Sequence, residues 1–148
     1  MSDVQTPQDS PVEWVNKHIN EYLASDGADG YEWRGTTILL LTTIGRKSGT
    51  PRRTALIYRQ DPENPNNYVI VASKGGAPKH PAWFLNLSDN PEVRVQVKGE
   101  EFTARARVST DETERPRLWK AMTEVWPSYD EYQTKTDRQI PVVVLERV

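Results

Sequence analysis

Two glycine-containing turns carry the side chains of this sequence that could bind an anion. One is Ser73-Lys74-Gly75-Gly76, which directly follows the apolar run Val69–Ala72. It places a hydroxyl, a cation and uncovered main-chain N–H groups at a strand end, and such groups hold anions. The other turn also follows an apolar strand, and it contains Gly45, Arg46, Lys47, Ser48, Gly49, Arg52 and Arg53. We interpret the protein as built around one ligand that both turns share.

The charge distribution agrees with an anionic ligand. The chain of 148 residues has a net charge of −2, but residues 33–88 contain eight lysines and arginines and two acidic residues. That segment therefore carries +6 and the rest of the chain −8. Basic loops that are merely solvated are the alternative for either turn alone, but two such turns favour a binding site.

Several classes of site are excluded by what the sequence lacks. It has no cysteine, so it forms no disulfide, thiol nucleophile or thiolate metal site. Its two histidines are too few for most histidine sites, and we predict no metal. Lys47 follows Arg46 where a phosphate-binding P-loop needs glycine, and the dinucleotide-binding, zinc-protease and serine-hydrolase motifs are absent. Trp14 and His18 are interpreted as packing residues at a helix edge.

The elements that position the two turns are mainly strands. We predict a disordered segment over residues 1–10 and a single domain over 11–148, which opens with a helix over 11–25. The predicted strands are 36–43, 54–59, 68–72, 93–97, 102–108 and 142–145, with a turn over 61–67. The other predicted helices are 82–87, a helix capped by Ser109 with Glu112 that runs to Val125, and 129–137.

The strand pattern predicts an α+β fold. Six strands in hairpins, without helical crossovers between parallel strands, indicate a closed or nearly closed antiparallel barrel with an N-terminal helix and peripheral helices. No apolar run approaches the roughly 20 residues of a membrane span, and the first ten residues have neither an apolar nor a basic region. We therefore predict a cytoplasmic protein.

Three motifs carry a resemblance to a known family. They are Gly45-Arg-Lys-Ser-Gly-x-Pro-Arg52, Ala72-Ser-Lys-Gly-Gly-Ala-Pro-Lys-His-Pro-x-Trp83 and Trp126-Pro-Ser-Tyr129-x-x-Tyr132-Gln-x-x-Thr136-Asp137-Arg138-x-Ile140-Pro141. The sequence resembles the deazaflavin-dependent nitroreductase family of actinobacteria over nearly the whole chain from Thr36 to Val148. These reductases have a split β-barrel fold, similar to FMN-binding barrels, and use reduced coenzyme F420.

The resemblance implies a role for both basic turns. Coenzyme F420 carries a phosphodiester and a chain of glutamates, which match a basic region on an acidic protein. By position in the family's motifs, the expected contacts to this tail are Arg46, Lys47, Ser48, Gly49, Arg52, Lys74, Gly75 and Gly76. Arg53 has no secure counterpart and is expected to be solvated.

The resemblance also implies where the chemistry occurs. The deazaflavin ring is expected near Leu56, Ala72, Ser73 and Trp83, with the substrate against its face. The hydride belongs to the coenzyme, and the protein supplies orientation and polarity. Ser73, Tyr129 and Tyr132 correspond to hydroxyl-bearing residues of the family's pocket and are the expected catalytic residues. A tyrosine hydroxyl, with a pKa of about 10, can donate to a substrate oxygen that gains negative charge. Packing in a lid is the alternative role of the two tyrosines.

Departures from the family pattern bear on the substrate. Trp126 and Ile57 stand where the nitroimidazole-reducing relative has tyrosines, so a quinone or an α,β-unsaturated carbonyl is expected rather than a bicyclic nitroimidazole, with other nitro compounds left open. The rival functions are an FMN-dependent barrel reductase and a non-catalytic deazaflavin carrier. Nucleic acid is not an expected partner, since the basic region lacks interleaved aromatic residues. We expect a monomer, with any peripheral contact to the inner membrane face made through the Trp14 helix.

Overall fold

The computed structural model describes residues 8–9 and 13–148, in which strands predominate. The strands are β1 (Gln8–Asp9), β2 (Glu32–Trp33), β3 (Thr36–Ile44), β4 (Pro51–Asp61), β5 (Asn64–Val71), β6 (Glu92–Val97), β7 (Glu100–Val108) and β8 (Val142–Arg147). The helices are α1 (Glu13–Ala24), α2 (Ala82–Asp89), α3 (Glu114–Val125) and α4 (Ser128–Thr134), and Lys74–Gly76 form a 3-10 turn.

Six of these strands close into a barrel. The order is β3-β4-β5-β8-β7-β6 and back to β3, and every pairing is antiparallel. Two-residue strands extend it, β1 parallel to β4 and β2 antiparallel to β3. Closure leaves few unpaired main-chain groups along the strands. The predicted α+β barrel of about six antiparallel strands, with an N-terminal helix and peripheral helices, is confirmed.

The barrel interior is filled by side chains that alternate along the strands. In β3, Leu39 and Leu41 belong to the interior core, whereas Ile38 and Leu40 pack against α1. Because both faces of β3 are buried, its sequence is continuously apolar instead of alternating. β6 and β7 alternate, with Val93, Val95, Phe102, Ala104 and Ala106 inside and polar residues outside.

Helix α1 packs across the outside of the barrel through an apolar stripe. Val15, Ile19 and Tyr22 are buried there, and the Tyr22 hydroxyl donates to the Ile38 carbonyl at 3.1 Å. The start of the predicted helix, residues 11 and 12, lies outside the described residues, as do residues 1–7 and 10 of the segment predicted to be disordered. Gln8 and Asp9 of that segment form β1, because they pair with Arg52 and Arg53.

Two local predictions were wrong. The turn predicted over residues 61–67 is shorter, because Asn64–Asn67 already belong to β5. The capping pair of Ser109 with Glu112 does not form, and the carboxylate of Asp111 instead accepts the main-chain N–H groups of Thr113 and Glu114 at 2.8 Å each. The Ser109 hydroxyl is 2.6 Å from a carboxylate oxygen of Glu114, to which it donates.

Candidate functional site

A cavity of about 620 Å³ lies beside the loop that joins β3 to β4. We call it the basic cavity. Six predicted site residues line it: Arg46, Lys47, Ser48, Arg52, Lys74 and Trp83. Arg46, Lys47 and Ser48 come from the loop, Arg52 from the start of β4, and the last two from the segment after β5, so the fold brings together the two turns that the sequence singled out.

The loop is held in shape by its own main chain. Gly45 N–H donates to the Thr50 carbonyl and Gly49 N–H to the Gly45 carbonyl, each at 2.8 Å. A Cβ atom at Gly45 would lie 2.7 Å from the Ser48 hydroxyl, and Gly49 has a φ of 70°. The left-handed backbone at position 49 therefore favours glycine, and a Cβ atom at position 45 would displace the Ser48 hydroxyl, which explains why glycine is interspersed with the cationic side chains. The loop presents these side chains from a fixed backbone.

Asn86 of α2 connects this loop to the helix, a role that the sequence analysis missed. Its side-chain oxygen accepts from the Arg46 main-chain N–H at 3.2 Å and from the Arg46 guanidinium at 3.0 Å. Its amide nitrogen donates to the Thr43 hydroxyl at 3.3 Å. An asparagine three residues after Trp83, where the second motif ends, was the available signal.

Two nearby cations have other roles. Arg53, expected to be solvated, forms an ion pair with Asp9 at 2.6 Å, so its charge is neutralised although it borders the basic cavity. Lys79 is exposed and does not belong to the lining of the basic cavity. The charge available to a ligand therefore comes mainly from Arg46, Lys47, Arg52 and Lys74.

The segment Ser73–Gly76, called the glycine turn below, has an anion-binding backbone. Ser73 is right-handed (φ −81°, ψ −38°), whereas Lys74 and Gly75 have φ values of 46° and 64°. Such a change from right-handed to left-handed backbone conformation points successive N–H groups into one concave surface. The structure gives the N–H groups of Ser73, Lys74 and Gly75 no partner among the described residues. They are free to donate to a ligand.

A second cavity, of about 440 Å³, is walled by aromatic side chains. We call it the aromatic cavity. Seven predicted site residues line it: Leu56, Ser73, Lys74, Gly75, Trp83, Tyr129 and Tyr132. Its other walls include Trp14, His18, Trp33, Ile57 and Trp126. The two cavities share the lining residues Lys74, Pro81 and Trp83 and therefore adjoin. Together we call them the cleft, which is basic at one end and apolar at the other.

Helix α1 contributes more to the cleft than the sequence analysis expected. Trp14 stacks on Trp33 with ring centroids 6.4 Å apart, and Trp33 lies 5.5 Å from Trp126. His18 donates from Nε2 to the Gly30 carbonyl at 2.6 Å, which fixes its ring at the cavity wall. The i, i+4 spacing of Trp14 and His18 beside the apolar stripe was the available signal, but spacing alone does not separate packing from lining.

The two tyrosines of α4 differ in environment. Tyr132 is half-buried, and its hydroxyl oxygen accepts a hydrogen bond from the Trp126 indole N–H at 3.3 Å. Tyr129 is buried in the core between the barrel and the helices α3 and α4, and burial raises its pKa above the ordinary value. Tyr132 is therefore the better placed of the two to give a proton to a ligand.

Three predicted site residues line neither cavity, and their contacts with a ligand stay predictions. Gly49 shapes the basic loop, and Ala72 is completely buried in the barrel core. Gly76 has a φ of 83°, and a Cβ atom there would lie 2.6 Å from the Tyr132 carbonyl oxygen. Gly76 thus allows the glycine turn to approach α4 closely.

Comparison with known proteins identifies similar sequences over most of the chain. The family described as F420H(2)-dependent quinone reductase matches residues 14–147. A Mycobacterium tuberculosis protein named F420H(2)-dependent quinone reductase is 37% identical over 146 residues, which cover 90% of this chain and 96% of that protein.

Two solved structures are similar in both fold and sequence. One, described as an F420-H2 dependent reductase, is 46% identical with a TM-score of 0.65 and covers 76% of this chain and 95% of its own. The other, described as a domain-swapped dimer, is 42% identical with a TM-score of 0.68 and covers 93% of this chain and 100% of its own. The expectation of a monomer is therefore not supported. None of the helices in residues 8–9 and 13–148 has the length and apolarity to cross a membrane.

Proposed function

Because the chain belongs to the F420H(2)-dependent quinone reductase family, we propose that it is an oxidoreductase that uses F420H2 to reduce quinones in the cleft described above. The observation that carries the proposal is that the basic and the aromatic cavity adjoin at Lys74, Pro81 and Trp83. A cleft that is basic at one end and aromatic at the other suits a ligand with an anionic tail and a planar ring.

The basic cavity fits the phosphodiester and glutamate tail of the coenzyme. Arg46, Lys47, Arg52 and Lys74 supply positive charge along its wall, and the Ser48 hydroxyl lies among them. The unpartnered N–H groups of the glycine turn would bind a phosphate without any side chain, as main-chain nests do.

The aromatic cavity would hold the deazaflavin ring and the quinone. Ser73, Leu56 and Trp83 line this cavity and would contact the ring, whereas Trp126, Tyr132 and the residues of α1 would contact the substrate. When bound, the reduced coenzyme supplies the hydride. The protein's aromatic walls would keep the two planar molecules face to face.

Tyr132 would complete the reduction by donating a proton. A quinone that accepts hydride becomes a hydroquinone anion, which needs one proton at oxygen. The Trp126 N–H occupies a lone pair of the Tyr132 oxygen, so the hydroxyl proton stays available to the substrate. Tyr129, with its raised pKa, is a weaker donor and would mainly shape the pocket. Ser73, which lines the same cavity, would hydrogen-bond to the ring or the substrate.

Reduction of α,β-unsaturated carbonyls and of nitro compounds would use the same site. Each accepts hydride and leaves negative charge on an oxygen within reach of the same hydroxyl. The apolar walls, including Ile57 and Trp126, favour flat, uncharged acceptors. A cytoplasmic location, with peripheral contact to the membrane, remains a prediction from sequence.

The direct test is to titrate the protein with F420 and with FMN, and then to follow the oxidation of F420H2 by menadione. We expect F420 to bind with at least tenfold higher affinity than FMN, and menadione to be turned over. Preferential binding of FMN would favour the rival flavoprotein. Binding of F420 without turnover of menadione, cyclohexenone or a nitroaromatic would favour a carrier instead of an enzyme.

A further inference from the structure

Arg138 lies outside every site assigned above, yet its guanidinium holds both ends of the glycine turn. It donates to three main-chain carbonyls, at 3.1 Å to Ala72, 2.7 Å to Ser73 and 2.9 Å to Ala77. These residues are more than 60 positions away in the chain, so this cluster of hydrogen bonds is long-range. A planar fork of donors can span several acceptors at fixed angles, which a flexible ammonium group cannot do.

A fourth contact fixes the orientation of that fork. His80 Nδ1 accepts from the Arg138 guanidinium at 3.0 Å, and the imidazole ring packs on Phe84 with centroids 4.7 Å apart. Burial, and then the charge of Arg138, lower the pKa of His80, so its ring is neutral and able to accept. His80 therefore accepts a hydrogen bond that helps to hold the guanidinium beside the glycine turn.

The contacts of Arg138 favour the anion-binding form of the turn. A carbonyl that faced the ligand would repel an anion, whereas one already paired with a guanidinium is held away and satisfied. The carbonyls of Ala72 and Ser73 are paired in this way, and the N–H groups of Ser73, Lys74 and Gly75 are left for the ligand. No carboxylate of the described residues forms an ion pair with Arg138, so its positive charge is not cancelled locally.

Arg138 also connects the turn to the helix that carries the tyrosines. It follows α4 in the chain, and Gly76 packs against the main chain of Tyr132. The side chain of Gln133 in α4 donates to the Arg138 carbonyl at 2.8 Å and accepts from the Ile140 N–H at 2.9 Å. The segment after α4 is thus tied to the helix at one end and to the glycine turn at the other.

We propose that Arg138 is a positioning residue that holds the glycine turn in its phosphate-binding conformation and keeps it in register with Tyr132 on α4. Arg138 is not itself a lining residue of either cavity, so it acts through the main chain of the turn and not by direct contact with a ligand. The inference rests on the proposed function, because the phosphate belongs to F420.

The test compares affinity for F420 with affinity for its phosphate-free deazaflavin headgroup, by fluorescence titration of the full chain. Arg138→Met should bind F420 at least tenfold more weakly, while headgroup affinity changes less than twofold. The F420 affinity of Arg138→Lys should lie between the affinities of Arg138→Met and the parent, because an ammonium group reaches some of the four acceptors. Arg105→Met, which removes an exposed arginine from β7, controls for the loss of net charge.

A second pair of variants tests the network if Arg138→Met fails to fold. His80→Asn keeps an acceptor near the position of Nδ1, so its F420 affinity should be close to that of the parent. His80→Leu removes the acceptor and should weaken F420 binding by about three- to tenfold. Unchanged F420 affinity in Arg138→Lys and His80→Leu would overturn the inference, as would equal losses for F420 and headgroup. If the parent chain itself did not bind F420, the proposed function would fail first and this inference with it.

Discussion

Replacing Tyr132 by phenylalanine tests whether its hydroxyl or its ring matters. The substitution removes one oxygen from the wall of the aromatic cavity and leaves the ring packed against its neighbours. It does not touch the basic loop or the glycine turn. We therefore expect turnover of menadione to fall while the affinity for F420 stays the same.

The size of the expected loss follows from the environment of the hydroxyl. A well-placed general acid contributes about 10²-fold to 10⁴-fold to a rate. Tyr132 is half-buried, and its bond from Trp126 at 3.3 Å is longer than an optimal hydrogen bond. Water can therefore reach the substrate oxygen and replace part of the function. We expect a loss of about 10-fold to 10²-fold, equivalent to about 1.4 to 2.7 kcal/mol of transition-state stabilisation.

Steady-state kinetics with menadione, with F420 binding measured in parallel, provide the assay. Tyr129→Phe is the matched control on the same helix, and its turnover of menadione should fall less than about fivefold because the Tyr129 hydroxyl is a poorer proton donor. Trp126→Phe keeps an aromatic wall but removes the hydrogen bond to Tyr132, and it should lose a few-fold in turnover. Unchanged turnover in Tyr132→Phe, with a large loss in Tyr132→Ala, would refute the proton-donor role and leave the tyrosine as lid packing.

Three further predictions concern the glycine turn and the stability of the fold. Lys74→Met should weaken F420 binding by about 1.5 to 3 kcal/mol, and added salt should weaken binding to the parent, whereas Lys79→Met should change little. Gly76→Ala should lower the free energy of unfolding by about 1 to 3 kcal/mol, since its methyl group would lie 2.6 Å from a main-chain oxygen of α4 and its φ is 83°. Glu114, whose pKa the Arg107 guanidinium lowers to about 2, should stabilise the fold above its ordinary pKa and lose that contribution as pH falls from about 4.5 to about 2.

Each of these three predictions would be contradicted by a specific result. Equal F420 affinities of the Lys74→Met and Lys79→Met variants, from fluorescence titrations at two salt concentrations, would remove the tail site from the glycine turn. A urea midpoint of Gly76→Ala equal to that of the parent would show that the turn can move away from α4. If Glu114→Gln lost as much stability as the parent between pH 5 and pH 2, the ion pair with Arg107 would not be the cause.

The barrel and the basic turns could be predicted because their signals are local. The run of β-branched and apolar residues from Thr36 to Ile44 defines a buried strand by itself, and the alternation in β6 and β7 defines a hairpin with one wet face. Glycine and cations after apolar strands indicated the two turns whose residues line the basic cavity. Local errors arose where two neighbouring residues could serve the same purpose, as when Asp111 rather than Ser109 capped α3.

Contacts between distant segments could not be predicted in the same way. The strand pairing that brings Asp9 to Arg53 joins residues 44 positions apart, and nothing near Arg53 in the sequence indicates its partner. Trp14 and His18 line a cavity only because α1 crosses the outside of β4, which is a matter of tertiary packing. The contacts of Arg138 likewise depend on how the segment after α4 passes the end of β5.

The location of the cleft outside the packed barrel has an evolutionary consequence. The walls that would face the substrate come largely from α1 and α4, which lie near the two ends of the chain and contribute no strand to the barrel. Substitutions at Trp14, Trp126 or Tyr132 therefore alter the acceptor pocket without opening a void in the interior core. Selection can diversify the acceptor side of such a protein while the barrel and the basic loop stay constant, so paralogues with different acceptors can arise from one scaffold by a few surface replacements.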